Sequence, residues 1–208
     1  MAYICAMIAV LTGDIIHSEQ QQKATWLKAL KKVLSSLGKS PKDWEVYRGD
    51  EFQLQLSGAE DALPAALLIK SYIRSVENMD VRIAIGLGDK TVNAAKVTQS
   101  NGSAFVNSGR LLDNLKKEKI NLAVASGNED FDKEINLMLK LALVGIDDWS
   151  SVSAEIVYLF LSNPNVQQAD AAQQLNIRQS AVSQRLRRAN YHLLIELIDF
   201  YKQKVQSL

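Results

Sequence analysis

Two rhythms alternate along this chain, apolar positions at period two and at period 3.6, and the switches between them predict its elements. Tyr3 to Leu11 is almost continuously apolar, the pattern of a strand covered on both faces, and it ends at Thr12-Gly13-Asp14. Trp26, Leu27, Leu30, Val33, Leu34 and Leu37 then form the buried stripe of a helix that begins near Ser18 and stops at Gly38. Trp44 to Tyr47 and Phe52 to Leu56 alternate on either side of Arg48-Gly49-Asp50-Glu51, which predicts a hairpin with Gly49-Asp50 near its tip. A helix follows from about Asp61 to Val76, and then a strand from Asp80 to Gly88, where Gly86 and Gly88 mark a bend or a close backbone approach. After a polar loop to Gly102 come a helix over Ala104–Lys117, a short strand over Asn121–Ser126 and an amphipathic helix over Glu129–Val144. That last helix is expected to turn Phe131, Ile135, Leu137, Met138, Leu141 and Ala142 inward.

The order is β-α-β-β-α-β with further elements after it, the order of a ferredoxin-like α+β fold with helices on one face of an antiparallel sheet. A composition shift at Gly145-Ile146-Asp147-Asp148 divides the chain into residues 1–146 and an all-α part, residues 147–208. In the second part, Ser151 to Leu161 predicts a supporting helix. From Val166 to Tyr191, Ala169, Ala171, Ala172, Leu175, Ile177, Val182 and Leu186 have the spacing of two short helices meeting at a tight turn. Asn176 suits a left-handed helix end, Gln179 or Ser180 opens the second helix, and the Ser180 hydroxyl can cap it. This is the spacing of a helix-turn-helix, whose second helix lies in the DNA major groove. The last helix is read as running on from Ser180 with Leu193, Leu194, Leu197, Ile198, Tyr201 and Val205 in one stripe. A stripe of that length needs a partner, either the first domain or a second protomer.

The polar face of that second helix has the chemistry of base and phosphate contact. Arg178, Gln179, Ser180, Ser183, Gln184, Arg187 and Arg188 are left outside when Val182 and Leu186 turn inward. Glutamine pairs bidentately with adenine, arginine with guanine, and serine with phosphate or base edges. Four arginines face one aspartate between Val166 and Tyr191, in a chain whose formal net charge is only +1. Charge gathered on one element is the electrostatic footprint of a phosphate-facing surface. The bland alternative is a helical hairpin with a solvated basic face. Specific sites are usually palindromic and one such module buries little surface, so a homodimer is expected.

Composition narrows the remaining classes. No apolar run approaches the ~20 residues that cross a bilayer, and the apolar N-terminus lacks a basic leader. Cys5 is the one cysteine, so no intramolecular disulfide forms, and a reducing, cytoplasmic location is the expectation. His17 and His192 have no further ligands at metal-site spacing, which argues against zinc.

Two acids remain as candidate chemistry. Asp14 sits just past the first strand and Asp50 at the hairpin tip, where two carboxylates can hold Mg²⁺ against a nucleotide's phosphates. Period two turns the adjacent Glu51 the other way. LTGDIIHSE from Leu11, YRGDEFQL from Tyr47 and VRIAIGLG from Val81 resemble the class III nucleotidyl cyclase and GGDEF diguanylate cyclase superfamily. Joined to a C-terminal helix-turn-helix, the whole resembles the bacterial SatD family. The resemblance implies metal-binding roles for Asp14 and Asp50 and places Arg110 where cyclases have a catalytic arginine. It also shows departures: Arg48 stands where a diguanylate cyclase has its first glycine, and Val106 where cyclases have the ribose-positioning asparagine, with Asn107 one place late. A degenerate cyclase-like sensor or scaffold on a transcriptional regulator is therefore the expected function. An Mg²⁺-dependent nucleotide enzyme is the rival, and a protein–protein adaptor a third reading.

Overall fold

The computed structural model describes residues 7–16, 18, 23–76 and 79–208. The start of the first expected strand, with Cys5, and also His17 lie outside the described residues. The elements follow the order β1 (Ile8–Ile16), α1 (Lys23–Leu37), β2 (Trp44–Tyr47), β3 (Glu51–Leu56), α2 (Ala62–Ser75), β4 (Asp80–Gly88), α3 (Ser103–Glu118), β5 (Leu122–Ala125) and α4 (Glu129–Ile146). Four more helices close the chain: α5 (Ser151–Ser162), α6 (Gln168–Gln174), α7 (Gln179–Arg188) and α8 (Tyr191–Val205). It is an α+β structure on one five-stranded sheet, ordered β2-β3-β1-β4-β5. The first four strands pair antiparallel, but β5 joins β4 in parallel, so the sheet is mixed and not purely antiparallel as expected.

β1 is buried on both sides, and this decides the layering. Ala9, Leu11 and Ile15 join the core under α1 and α2, whereas Val10 packs with Val97, Ala104 and Phe105 on the opposite face. That second face carries α3, a departure from the one-faced arrangement. Small residues make room for it: Ala84 and Ala123 meet Leu112 and Leu115. A Cβ at Gly86 would lie 2.2 Å from the Ala104 carbonyl oxygen, so only glycine lets α3 approach β4 this closely. A buried hydrogen bond of 2.9 Å from Thr12 to Ser108, and one of 2.9 Å from the Asn107 amide to the Leu87 carbonyl, hold the helix there.

Side chains lie against both sheet edges. On β5 the Asn136 side chain pairs with both backbone groups of Val124, accepting from its N–H and donating to its C=O at 2.8 Å each. On β2, Glu45 accepts a hydrogen bond from Thr98 and lies 3.7 Å from the Lys96 ammonium.

The C-terminal helices share the main core with the sheet without a break, α5 lying on α2. The residues beside the expected boundary at Ile146 are themselves ties across it. Lys70, fully buried on α2, lies 2.9 Å from Asp80 and 2.8 Å from Asp147, and Asn121 donates to the other Asp147 oxygen at 3.0 Å. Arg74 binds Asp80 at 2.8 Å and donates to the Trp149 carbonyl at 2.7 Å. The buried Tyr201 of α8 donates to the Ala59 carbonyl at 2.8 Å, so the partner of the long apolar stripe is the N-terminal part of the same chain.

Two expectations about helix faces are corrected. α7 and α8 are not one helix: Asn190 takes a left-handed conformation (φ 53°), and the buried Trp149 indole donates to the freed Ala189 carbonyl at 3.2 Å. On α4 the buried positions are Phe131, Ile135, Leu139, Leu143 and Ile146. Leu137, Met138, Leu141 and Val144 instead face solvent, 61, 40, 65 and 78% exposed. α4 is apolar on two faces, so its periodicity has two solutions, and contact with β5 selects the other one. Leu193 of α8, also expected inside, is 53% exposed beside them.

Candidate functional site

Asp14 lies within β1, not beyond it, and the sheet register sets its neighbours. Across β3-β1-β4 the chain aligns Glu51, Asp14 and Arg82 in one row, all on the α3 face. One Arg82 nitrogen lies 3.2 and 3.0 Å from the two Asp14 carboxylate oxygens. Lys116 comes down from α3 to Glu51 at 2.7 Å. Asp50, in the hairpin turn, accepts a hydrogen bond of 2.5 Å from Ser18. Arg48 takes the first of two positive-φ positions in that turn (φ 45°, before Gly49 at φ 87°), at the place where the resemblance has glycine.

Burial pushes the Asp14 carboxyl above its ordinary range; Arg82 and Lys116 pull the other way, and the nearby Asp50 and Glu51 add to the rise. For Lys116 burial works against the charge, yet the Glu51 hydrogen bond and the fields of Asp14 and Glu51 leave its pKa raised. The row is therefore two adjacent carboxylates flanked by two cations, and each sheet carboxylate already has a cation of the chain itself. This donor set does not fit a divalent cation: the guanidinium occupies both Asp14 oxygens, and no cluster of three or more metal-ligating side chains occurs among the described residues. Arg110 is exposed on α3 and is not among the charges that act on Asp14. Val106 is 40% exposed, and Asn107 is engaged with β4. The structure thus brings Asp14 and Asp50 near one another and leaves Arg110 apart from them.

Nothing in the sequence singled out Arg82 and Lys116, and Glu51, which period two was expected to turn away, stands instead beside Asp14 on the α3 face. Period two along β4 puts Arg82 on the same face as Ala84 and Gly86. That alternation was visible, but the register that sets it against Asp14 was not. Because the native Asp14 pKa is raised, the folded chain holds this proton more tightly than the unfolded one. Its contribution is fully present below the ordinary carboxylate value and lost as pH climbs through the raised one. A carbon-detected NMR titration should find Asp14 above 3.8 and higher still in Arg82→Gln. Titration below that value would mean that Arg82, not burial, governs the group.

The second candidate surface is on α7. α6 ends in a turn at Leu175-Asn176-Ile177, where Asn176 has φ 52° and the Ile177 N–H bonds back to the Ala172 carbonyl at 2.9 Å. α7 opens at Gln179, with Arg178 as its N-cap and no side-chain capping bond, so Ser180 is an exposed first-turn residue and not the cap. Val182 is fully buried and Leu186 half-buried against the core. Arg178, Gln179, Ser180, Ser183, Gln184, Arg187 and Arg188 are all exposed. Arg185 is held to the flank by Glu155 of α5 at 3.3 Å. α7 packs on both α5 and α6, so this polar face is carried on a supported helix.

A family model described as the SatD family matches residues 7–198, from β1 into α8. The chain belongs to the SatD family. The SatD match takes in both the charge row and the α7 surface in one span. No curated protein matches the sequence significantly. Among solved structures, a bacterial light-regulated adenylyl cyclase aligns with TM-score 0.37 and 14% identity over 58% of this chain and 42% of that one. The chain thus spans less than half of that protein's length, and the likeness is too loose to carry an argument. No described helix of this SatD-family chain is long and apolar enough to cross a membrane.

Proposed function

We propose that this SatD-family protein is a DNA-binding transcriptional regulator. In this reading α5, α6 and α7 form a helix-turn-helix, and α7 enters the major groove with Gln179, Ser180, Ser183, Gln184, Arg187 and Arg188 toward the bases and Arg178 at a phosphate. The ferredoxin-like, cyclase-related part serves as scaffold or sensor. The observation that carries this is the exposed face of α7: every residue needed for readout is outside, and its apolar side is anchored through Val182. The nucleotide-enzyme reading has less support, because Arg82 holds Asp14 and Ser18 donates to Asp50, the two acids it requires. The test is fluorescence anisotropy on random duplex and on the protein's own upstream region across a salt series. Salt-dependent binding that favours the upstream region is expected. No binding to either duplex at low salt ends the reading.

The regulator acts as a homodimer, and the face it uses is the apolar one left on α4 and α8. Leu137, Leu141 and Val144 are spaced by four and three residues, the seam spacing of paired helices. Beside them a groove of about 330 Å³ runs between Met138, Leu141 and Ala142 of α4 and Leu193 and Leu197 of α8. Five aliphatic side chains at these exposures offer on the order of 400 Å² of apolar surface. That is about half of the ~800 Å² each partner contributes to a standard interface. A second copy, which brings the same uncharged seam across a two-fold axis, supplies a complementary surface. Leu141→Glu buries a charge at the centre of that contact and should give a monomer by sedimentation. A wild-type monomer at assay concentration removes the dimer from the proposal.

A further inference from the structure

The helix α1, KATWLKALKKVLSSL, carries four lysines and no acidic residue. Trp26, Ala29, Leu30, Val33 and Leu34 are buried, and Lys28, Lys31 and Lys32 stand exposed on the other side. Lys28 faces Lys31 and Lys32 at i,i+3 and i,i+4, spacings at which like charges destabilise a helix. No carboxylate answers them: among the described residues none of these three lysines has an ion pair. Together α1 and the Val166–Tyr191 stretch hold eight of the chain's 24 basic residues with one acid, so the rest is net acidic. The positive charge is therefore concentrated on two elements far apart in sequence.

A short series of contacts joins these two elements in space. The Lys32 ammonium sits 5.4 Å from the centre of the Tyr72 ring, and Tyr72 packs against Tyr158 of α5 with ring centres 4.6 Å apart and planes tilted by 50°. One turn along α5 from Tyr158, a step of about 5–6 Å, Glu155 meets Arg185 of α7 at 3.3 Å. Glu155 is the only acid on this route and it is already paired. α1 thus lies on the side of α7 that carries Arg185, with α5 between them and no more than about 25 Å along these contacts, a span shorter than the ~34 Å of one turn of duplex whose phosphates border the groove.

Resting on the DNA-binding reading, we propose that α1 is a second DNA contact, with Lys28, Lys31 and Lys32 bound to backbone phosphates beside the groove that α7 enters. Lysine serves here as a point charge, without sequence information, and sets affinity and register more than specificity.

The experiment uses the full chain and the triple variant K28Q/K31Q/K32Q, with the lysine-to-arginine triple as its charge-retaining partner. Salt series are run on the upstream duplex and on random duplex, with circular dichroism and thermal unfolding to check the fold. In the glutamine triple the slope of log affinity against log salt should become shallower by about 2–3, nearly one for each phosphate no longer neutralised. Affinity should fall tenfold or more on both duplexes alike, with the preference between them unchanged, and the arginine triple should restore the slope. An unchanged slope and affinity in a chain whose wild type binds DNA overturns the proposal while the regulator reading stands. Lost preference with unchanged slope overturns it too, since the lysines would then not be at phosphates. Failure of the wild type to bind any duplex removes both readings.

Discussion

Replacing Arg187 and Arg188 together by alanine should abolish selective DNA binding while leaving the fold in place. Both side chains are exposed in the last turn of α7 and neither has an ion pair among the described residues, so nothing inside the protein depends on them. A bidentate arginine–guanine contact is worth about 1–3 kcal/mol of discrimination. Losing two removes roughly 2–6 kcal/mol, from about thirtyfold to more than ten-thousandfold on the preferred duplex. The loss on random duplex should be smaller, which distinguishes base readout from simple removal of charge. Arginines at a helix C-terminus also favour its dipole by about 0.3–1 kcal/mol each. A thermal unfolding control therefore belongs beside the anisotropy. Arg185 is left untouched because its pairing with Glu155 holds α7 to α5. If the double variant binds the upstream duplex as the wild type does, α7 is not the reading helix.

Lys70→Met should cost the fold about 3 kcal/mol, toward the lower end of what breaking a buried ion pair removes. The ammonium is fully buried and lies between Asp80 and Asp147, so its loss leaves two carboxylates with less compensation. Each keeps something. Asp80 retains Arg74 at 2.8 Å, and Asp147, 35% exposed, retains Asn121 at 3.0 Å and solvent. The Asp147 oxygen nearest Lys70 has that ammonium at 2.8 Å but no well-aligned hydrogen bond, so the pair is one of charge more than geometry. For a chain of this size, 3 kcal/mol lowers the melting temperature by roughly 6–12 °C. Urea unfolding with an unchanged m-value checks the same quantity. A variant as stable as the wild type would show that methionine packing offsets the missing pair. The network joins β4 and α2 to the start of the C-terminal helices, so its weakening should also loosen the seat of α5 and α7.

The fold was most legible where one rhythm had one solution. β4 was bounded to the residue because alternation and terminal glycines agreed, and Gly86 announced the close approach that α3 makes. The turn before α7 was legible through Asn176, a residue that tolerates the left-handed conformation. Asn190 uses the same conformation with no glycine or proline anywhere after it, and there the helix break went unseen. α4 failed for a different reason: leucines on two faces fit two phases equally, and only the tertiary neighbours choose. The charge row was half visible. Asp14 was named, but a sequence does not state which β3 and β4 residues stand opposite it, and Glu51, Arg82 and Lys116 enter through register and layering alone.

The amide of Asn136 gives the sheet a property that reaches beyond its own stability. By meeting the free N–H and C=O of Val124, it occupies the bonds a foreign strand would use, while Glu45 and its partners crowd the opposite rim. An open rim is a template on which other chains add, the route to fibrils and to runaway stacking. Side chains set against both rims disfavour strand addition and leave the apolar helix faces as the surface on which copies can meet. Side-chain fit then limits how many join, and assembly has a natural end point.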